Sequence, residues 1–121
     1  MSKYDVNKFK QVTVALNTPF QPDGSVDLKA VRAVVNYFYN KGIRQMYVCG
    51  STGEGFLLDT QERMAVTETV VEEAAGRMNI IVHVGCPDTR HSEELARHAE
   101  KAGANATSAV PCVYYRMGEE S

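Results

Sequence analysis

The stretch Gly50-Ser51-Thr52-Gly53-Glu54-Gly55 decides how the rest of the chain is read. It follows the apolar run Met46-Tyr47-Val48-Cys49 and precedes a helix-like stretch over residues 60–75. A strand, a glycine-punctuated polar turn and a helix make one unit of a parallel α/β fold. In such folds ligands are met at the carboxyl ends of the strands. Gly50, Gly53 and Gly55 allow backbone amides to come close to an anion, and the hydroxyls of Ser51 and Thr52 add two donors. The chemistry expected there is a grip on a small carboxylate or phosphate. An ordinary α/β turn stays open as the other reading. The GxxGxG spacing is not the phosphate-binding GxGxxG, and no lysine follows as it does in a P-loop.

Working outward, four β-like runs alternate with three helix-like runs. The strands are expected over residues 12–16, 45–49, 80–84 and 106–110, and the helices over about 27–40, 60–75 and 89–102. The first helix carries Leu28, Val31, Val35 and Phe38 on one face at spacings of three and four, with Asp27 as its N-cap and Gly42 as its stop. The second has Met64, Val66, Val70 and Ala74 as packing positions, Asp59 and Glu62 in a capping arrangement, and Gly76 at its end. The third turns Leu95, Ala99 and Ala102 inward and stops at Gly103. Ile80-Ile81-Val82-His83-Val84 is nearly continuous in apolar residues, as a strand buried on both faces is. Pro22-Asp23-Gly24 has turn chemistry at every position. The order is βαβαβαβ in one domain spanning residues 1–121, without a low-complexity linker. Right-handed crossovers put the helices on one side of a curling sheet, or on both sides of a flat one.

Composition excludes several classes of function. A net charge of −2 with scattered Lys and Arg gives no electrostatic footprint for nucleic acid. No apolar run is long enough to span a bilayer, and the polar start Met1-Ser2-Lys3-Tyr4-Asp5 lacks a signal-peptide core, so a cytoplasmic location is expected. Cys49, Cys86 and Cys112 make an odd count without CxxC spacing, which favours free thiols. All three stand at or just after strand ends, so a soft metal on one rim is conceivable, but no ligand spacing supports it and no metal is expected. His83, inside a strand, reads as a buried neutral imidazole satisfied by backbone rather than a base. Tyr114-Tyr115 follow the fourth strand; they read as packing residues, or as a hydroxyl at a strand end able to relay protons.

Taken together these motifs resemble one family. The loop at 50–55 with Phe56-Leu57-Leu58 is similar to the second-strand signature of the N-acetylneuraminate lyase and dihydrodipicolinate synthase superfamily. Ser51, in place of a second threonine, leans towards the lyases. Leu16-Asn17-Thr18-Pro19-Phe20 looks like the end of the family's first strand, His83-Val84-Gly85-Cys86 like the lyases' third-strand end, and Ser108-Ala109-Val110 with Tyr114-Tyr115 like its fourth strand and tyrosine loop.

The resemblance implies the amino-terminal half of a (β/α)8 TIM barrel belonging to a class I aldolase. It implies that Ser51 and Thr52 bind the carboxylate of pyruvate, and that Tyr114 enters a neighbouring subunit's site as part of a proton relay. The substrates implied are a small keto acid or sialic acid, without cofactor, in a homo-oligomer or together with a carboxy-terminal half. The family's Schiff-base lysine sits on its sixth strand and an acid–base tyrosine on its fifth, beyond the four strands read here. Lys3, Lys8, Lys10, Lys29, Lys41 and Lys101 all fall in the tail, the helices or their flanks. Pro111-Cys112-Val113 and Arg116-Met117-Gly118 depart from the family's pattern around the tyrosines. Three readings follow: an N-acetylneuraminate lyase-like protein, another pyruvate-dependent member such as dihydrodipicolinate synthase, or a non-catalytic half-barrel.

Overall fold

The computed structural model describes residues 5–111. Four parallel strands, β1 (Val14–Ala15), β2 (Gln45–Val48), β3 (Asn79–His83) and β4 (Ala106–Ser108), lie side by side in the order of the chain. Between them run α1 (Leu28–Asn40), α2 (Thr60–Ala74) and α3 (Thr89–Ala102). Consecutive order without reversal is the winding of a barrel, not of a doubly wound sheet. The register places Val14 beside Met46, Met46 beside Ile80 and Val82 beside Thr107.

One face of this sheet is covered by helices. Met46, Val48, Ile80 and Val82 point to that face and are buried, together with Val31 and Val35 of α1, Val66, Val70 and Ala74 of α2, and Leu95 and Ala99 of α3. The helices pack in sequence, α1 on α2 and α2 on α3. Tyr47, Ile81, Ala106 and Ser108 point to the other face and are only half-buried. The strand expected to be buried on both faces is therefore buried on one; Ile81 has the composition for a second layer that the described residues do not provide. The helices take the one-sided arrangement of the two that the sequence allowed.

Local chemistry explains the helix ends. Asp27 accepts from the Ala30 amide at 3.0 Å and Asp88 from that of His91 at 3.1 Å. Asp59 and Glu62 form a reciprocal capping box at 2.7 and 3.0 Å. Gly103 closes α3 at φ +103°, a conformation that a Cβ disfavours. Phe20 and Val26 pair across the Pro22-Asp23-Gly24 turn. The strands are shorter than expected. Cys49 leaves β2 at φ +61°, and β1 and β4 keep ladder geometry for only two and three residues.

The amino-terminal segment has a role its polar sequence did not announce. A 3-10 turn at Val6–Phe9 lies across the amino ends of the strands. Gln45, 1% exposed at the start of β2, donates to the Phe9 carbonyl at 3.1 Å, and Asn79 of β3 donates to that of Lys8 at 3.0 Å. The carboxyl ends of the strands are left free for the site.

Candidate functional site

The loop at 50–55 is shaped by two left-handed residues that are not glycine. Cys49 (φ +61°) turns the chain off β2, and Glu54 (φ +56°) leads into a short 3-10 turn at Gly55–Leu57. Such geometry costs on the order of 1 kcal/mol or more for each residue, and persists where surroundings enforce it. Here the Glu54 amide donates to the Ser51 carbonyl and the Gly55 amide to that of Gly50, both at 3.0 Å. Thr18, buried beyond β1, donates its hydroxyl to the Gly53 carbonyl at 2.7 Å.

The glycines also serve the protein's own packing, a role the sequence did not announce. None of Gly50, Gly53 and Gly55 has a positive φ. A Cβ on Gly50 would meet the Tyr47 ring, one on Gly53 would stand 2.9 Å from the Leu16 carbonyl oxygen, and one on Gly55 would overlap that of Cys49. Two of the loop amides are engaged internally. The side chains the loop presents outward are Ser51, Thr52 and Glu54, all exposed at the carboxyl end of β2. Tyr114 and Tyr115 lie outside the described residues, as do Cys112 and Lys3.

Beneath the loop lies a buried polar cluster. His83, the last residue of β3, is 3% exposed; its Nδ1 is 3.1 Å from the Cys49 carbonyl oxygen, and its Nε2 accepts from the Val110 amide at 3.4 Å. A carbonyl only accepts, so Nδ1 carries the proton and the ring is neutral, as the sequence reading expected. Phe56 meets the ring edge-on, with centroids 5.4 Å apart. Burial, and then the Arg63 guanidinium, hold the imidazole below its ordinary value of 6.5, against the raising effect of the Cys49 carbonyl.

Protonation therefore opposes folding. The contribution of this ring is whole above pH 6.5 and is lost as the pH falls below it towards the depressed folded value. The lowered carboxylates, Asp23, Glu73 and Asp88, titrate below their ordinary values of 3.8, 4.5 and 3.8, outside that window. An intact barrel carrying this half should show a falling urea midpoint from pH 6.5 downward, and His83→Gln should flatten the fall. Parallel slopes in both proteins would assign the titration to another group.

Arg63 is the residue that the sequence reading missed. It sits in the first turns of α2, 3% exposed, and donates to the His83 carbonyl at 2.7 Å and the Gly85 carbonyl at 2.8 Å. Its Nη1 also stands 3.3 Å from the Cys86 sulfur, and its Nε has no partner among the described residues. A signal existed: Arg63, Val66, Val70 and Ala74 follow one another at spacings of three and four along the buried stripe, with Thr67 beside Val66. A charge on such a stripe has to find partners, and the carbonyls past the end of β3 supply them. The thiol of Cys49, pushed up to about 11 by burial, is inert at neutral pH. Among the described residues no cluster of three or more His, Cys, Asp or Glu side chains could hold a metal, and no helix is long and apolar enough to cross a membrane.

Consecutive parallel strands, helices on one face and a hydroxyl-bearing loop at the carboxyl edge define half of a (β/α)8 barrel. The chain belongs to the dihydrodipicolinate synthetase family, whose model matches residues 8–121. Its relatives include an N-acetylneuraminate lyase of Mediterraneibacter gnavus, 36% identical over 115 residues, covering 95% of this chain and 36% of the relative. N-acetylneuraminate lyase 2 of Escherichia coli is 42% identical over 113 residues, covering 93% of this chain and 37% of the relative. A solved Ruminococcus gnavus sialic acid aldolase, a catalytic lysine mutant, superposes with a TM-score of 0.92 at 35% identity over 96% of this chain and 38% of that one. The chain thus spans little more than a third of the proteins it matches.

Proposed function

We propose that this chain forms the carboxylate-gripping half of an aldolase that cleaves N-acetylneuraminate to N-acetylmannosamine and pyruvate. In this reading residues 1–121 make one partial barrel domain, and the lysine that forms the Schiff base comes from polypeptide outside them. The observation that carries it is the identity of 36% and 42% to N-acetylneuraminate lyases over nearly the whole chain, with Ser51 and Thr52 exposed where β2 ends.

The chemistry assigned to these residues is simple. A carboxylate at the loop tip accepts from the Ser51 and Thr52 hydroxyls, which orients the keto acid so that its carbonyl carbon faces the amine. The Thr18 bond, the internal amide bonds and the tight glycines keep the loop from adapting, so the donors are in place before substrate arrives. Tyr114, on the segment after β4, is assigned to the relay that returns a proton to the cleaved carbon. Sugar cleavage of this kind makes carbohydrate breakdown the expected context.

The test is a full-length barrel in which residues 1–121 replace the matching amino-terminal part of the Escherichia coli relative. It should cleave N-acetylneuraminate. Ser51→Ala with Thr52→Val in that barrel removes two hydrogen bonds to a charged group, each worth about 1.5–3 kcal/mol, so kcat/KM should fall about 100- to 10,000-fold. Unchanged kinetics in the double variant would remove the loop from the substrate site.

A further inference from the structure

His83 is a buried imidazole to which the proposed chemistry gives no part, yet both its ring nitrogens and its carbonyl are engaged across the carboxyl rim. Nδ1–H donates to the Cys49 carbonyl, where the chain turns into the loop bearing Ser51 and Thr52. Nε2 accepts from Val110, four residues before Tyr114 in the chain. The carbonyl of His83 receives the Arg63 guanidinium at 2.7 Å, and the Gly85 carbonyl receives it at 2.8 Å, which pins the backbone on both sides of Val84. Gly85 leaves room for the ring: a Cβ there would stand 2.7 Å from Nε2. The groups facing the imidazole are Arg63 of α2, 3.4 Å from Nδ1, the Phe56 ring, and the Tyr47 ring of β2, whose hydroxyl is bonded to Ser108 of β4 at 3.1 Å.

We propose that His83 is a positioning residue, a neutral ring that ties the carboxylate-gripping loop after β2 to the start of the segment running from β4 to Tyr114. The inference rests on the aldolase reading and extends it. The two substrate-facing segments leave different strands, β2 and β4, with β3 between them. Neither segment bonds the other through the sheet ladder at that level. The ring at the end of the middle strand bridges them beside the Tyr47–Ser108 bond, and its two nitrogens divide the work. Nδ1 sets where the carboxylate donors stand, and Nε2 sets where the tyrosine segment begins.

That division makes the test specific. In the full-length barrel described above, His83→Asn keeps a donor near the place of Nδ1 and loses the Val110 bond. His83→Gln keeps an acceptor near the place of Nε2 and loses the Cys49 bond. Each loss is one neutral hydrogen bond, equivalent to about fivefold. His83→Gln should raise KM about fivefold and hold kcat; His83→Asn should lower kcat about fivefold and hold KM. A ring that only filled space would give both variants the same kinetics per folded molecule, and equal changes, or none, overturn the proposal. If the parent barrel turns over no substrate, the aldolase reading alone fails. Backbone amide spectra of the same proteins then decide the tether: His83→Gln should move the resonances of residues 50–55 and spare Val110, and His83→Asn should do the reverse. The same set moving in both variants overturns it.

Discussion

Incubated with pyruvate and reduced with borohydride, the 121-residue chain is expected to gain no pyruvyl adduct on any lysine. An imine needs a neutral amine, and a lysine at its ordinary pKa of about 10.4 is protonated at neutral pH unless a pocket lowers it. No described lysine has such a place. Lys29 and Lys101 lie on helices, Lys8 in the amino-terminal 3-10 turn, Lys10 just after it, and Lys41 at the C-cap of α1. The Lys8 and Lys41 ammonium groups rest over the Phe9 and Tyr37 rings, at 5.2 and 5.5 Å, away from the carboxyl rim. The expected effect is complete loss of the first chemical step, not a slow version of it. Intact mass measurement with peptide mapping reads the outcome, and a stoichiometric adduct on one lysine would overturn the lysine assignment.

The second large effect is association. A solution of the 121-residue chain is expected to be associated or partly unfolded, not a monodisperse monomer. Among the described residues β1 and β4 are edge strands, each with one ladder partner. Among the described residues no layer covers the face carrying Tyr47, Ile81 and Ala106, while the face carrying Met46, Val48, Ile80 and Val82 is closed by three helices. Open edges and uncovered apolar faces drive pairing between chains. An open pocket between α3 and β4, lined by Ala96, Ala104 and Thr107 together with Glu93, Arg97 and Glu100, points the same way. Light scattering and thermal denaturation measure both properties. A monodisperse monomer with one sharp transition would show that the half-barrel closes by itself.

Both results depend on features of different origin, and the sequence disclosed them unequally. The helices were legible because their determinants are local. Asp27, Asp59 and Asp88 cap amides only three residues away, and the apolar stripes repeat every three to four residues. The alternation of apolar runs with helices was enough for a parallel α/β fold, and the motifs around Thr18, Ser51 and His83 for the barrel family. The place of Ser51 and Thr52, at the carboxyl end of a strand, followed from the same local order.

What the sequence by itself determined was the element order, the caps and the family. What only the tertiary structure decided was what the polar residues at the rim are for. The glycines of the loop were read as letting amides come close to an anion; the packing role, two of them clearing atoms of Tyr47 and Cys49 and Gly53 clearing Leu16 across the sheet, came only from the structure. Arg63 was passed over because its partners, the carbonyls of His83 and Gly85, are 20 and 22 residues away. The tether from His83 to Cys49 and Val110 spans 34 residues in one direction and 27 in the other. Helix caps are set by neighbours in sequence. Buried hydrogen bonds at a barrel rim are set by which strands are adjacent, and strand adjacency brings residues together that no spacing rule along the chain connects.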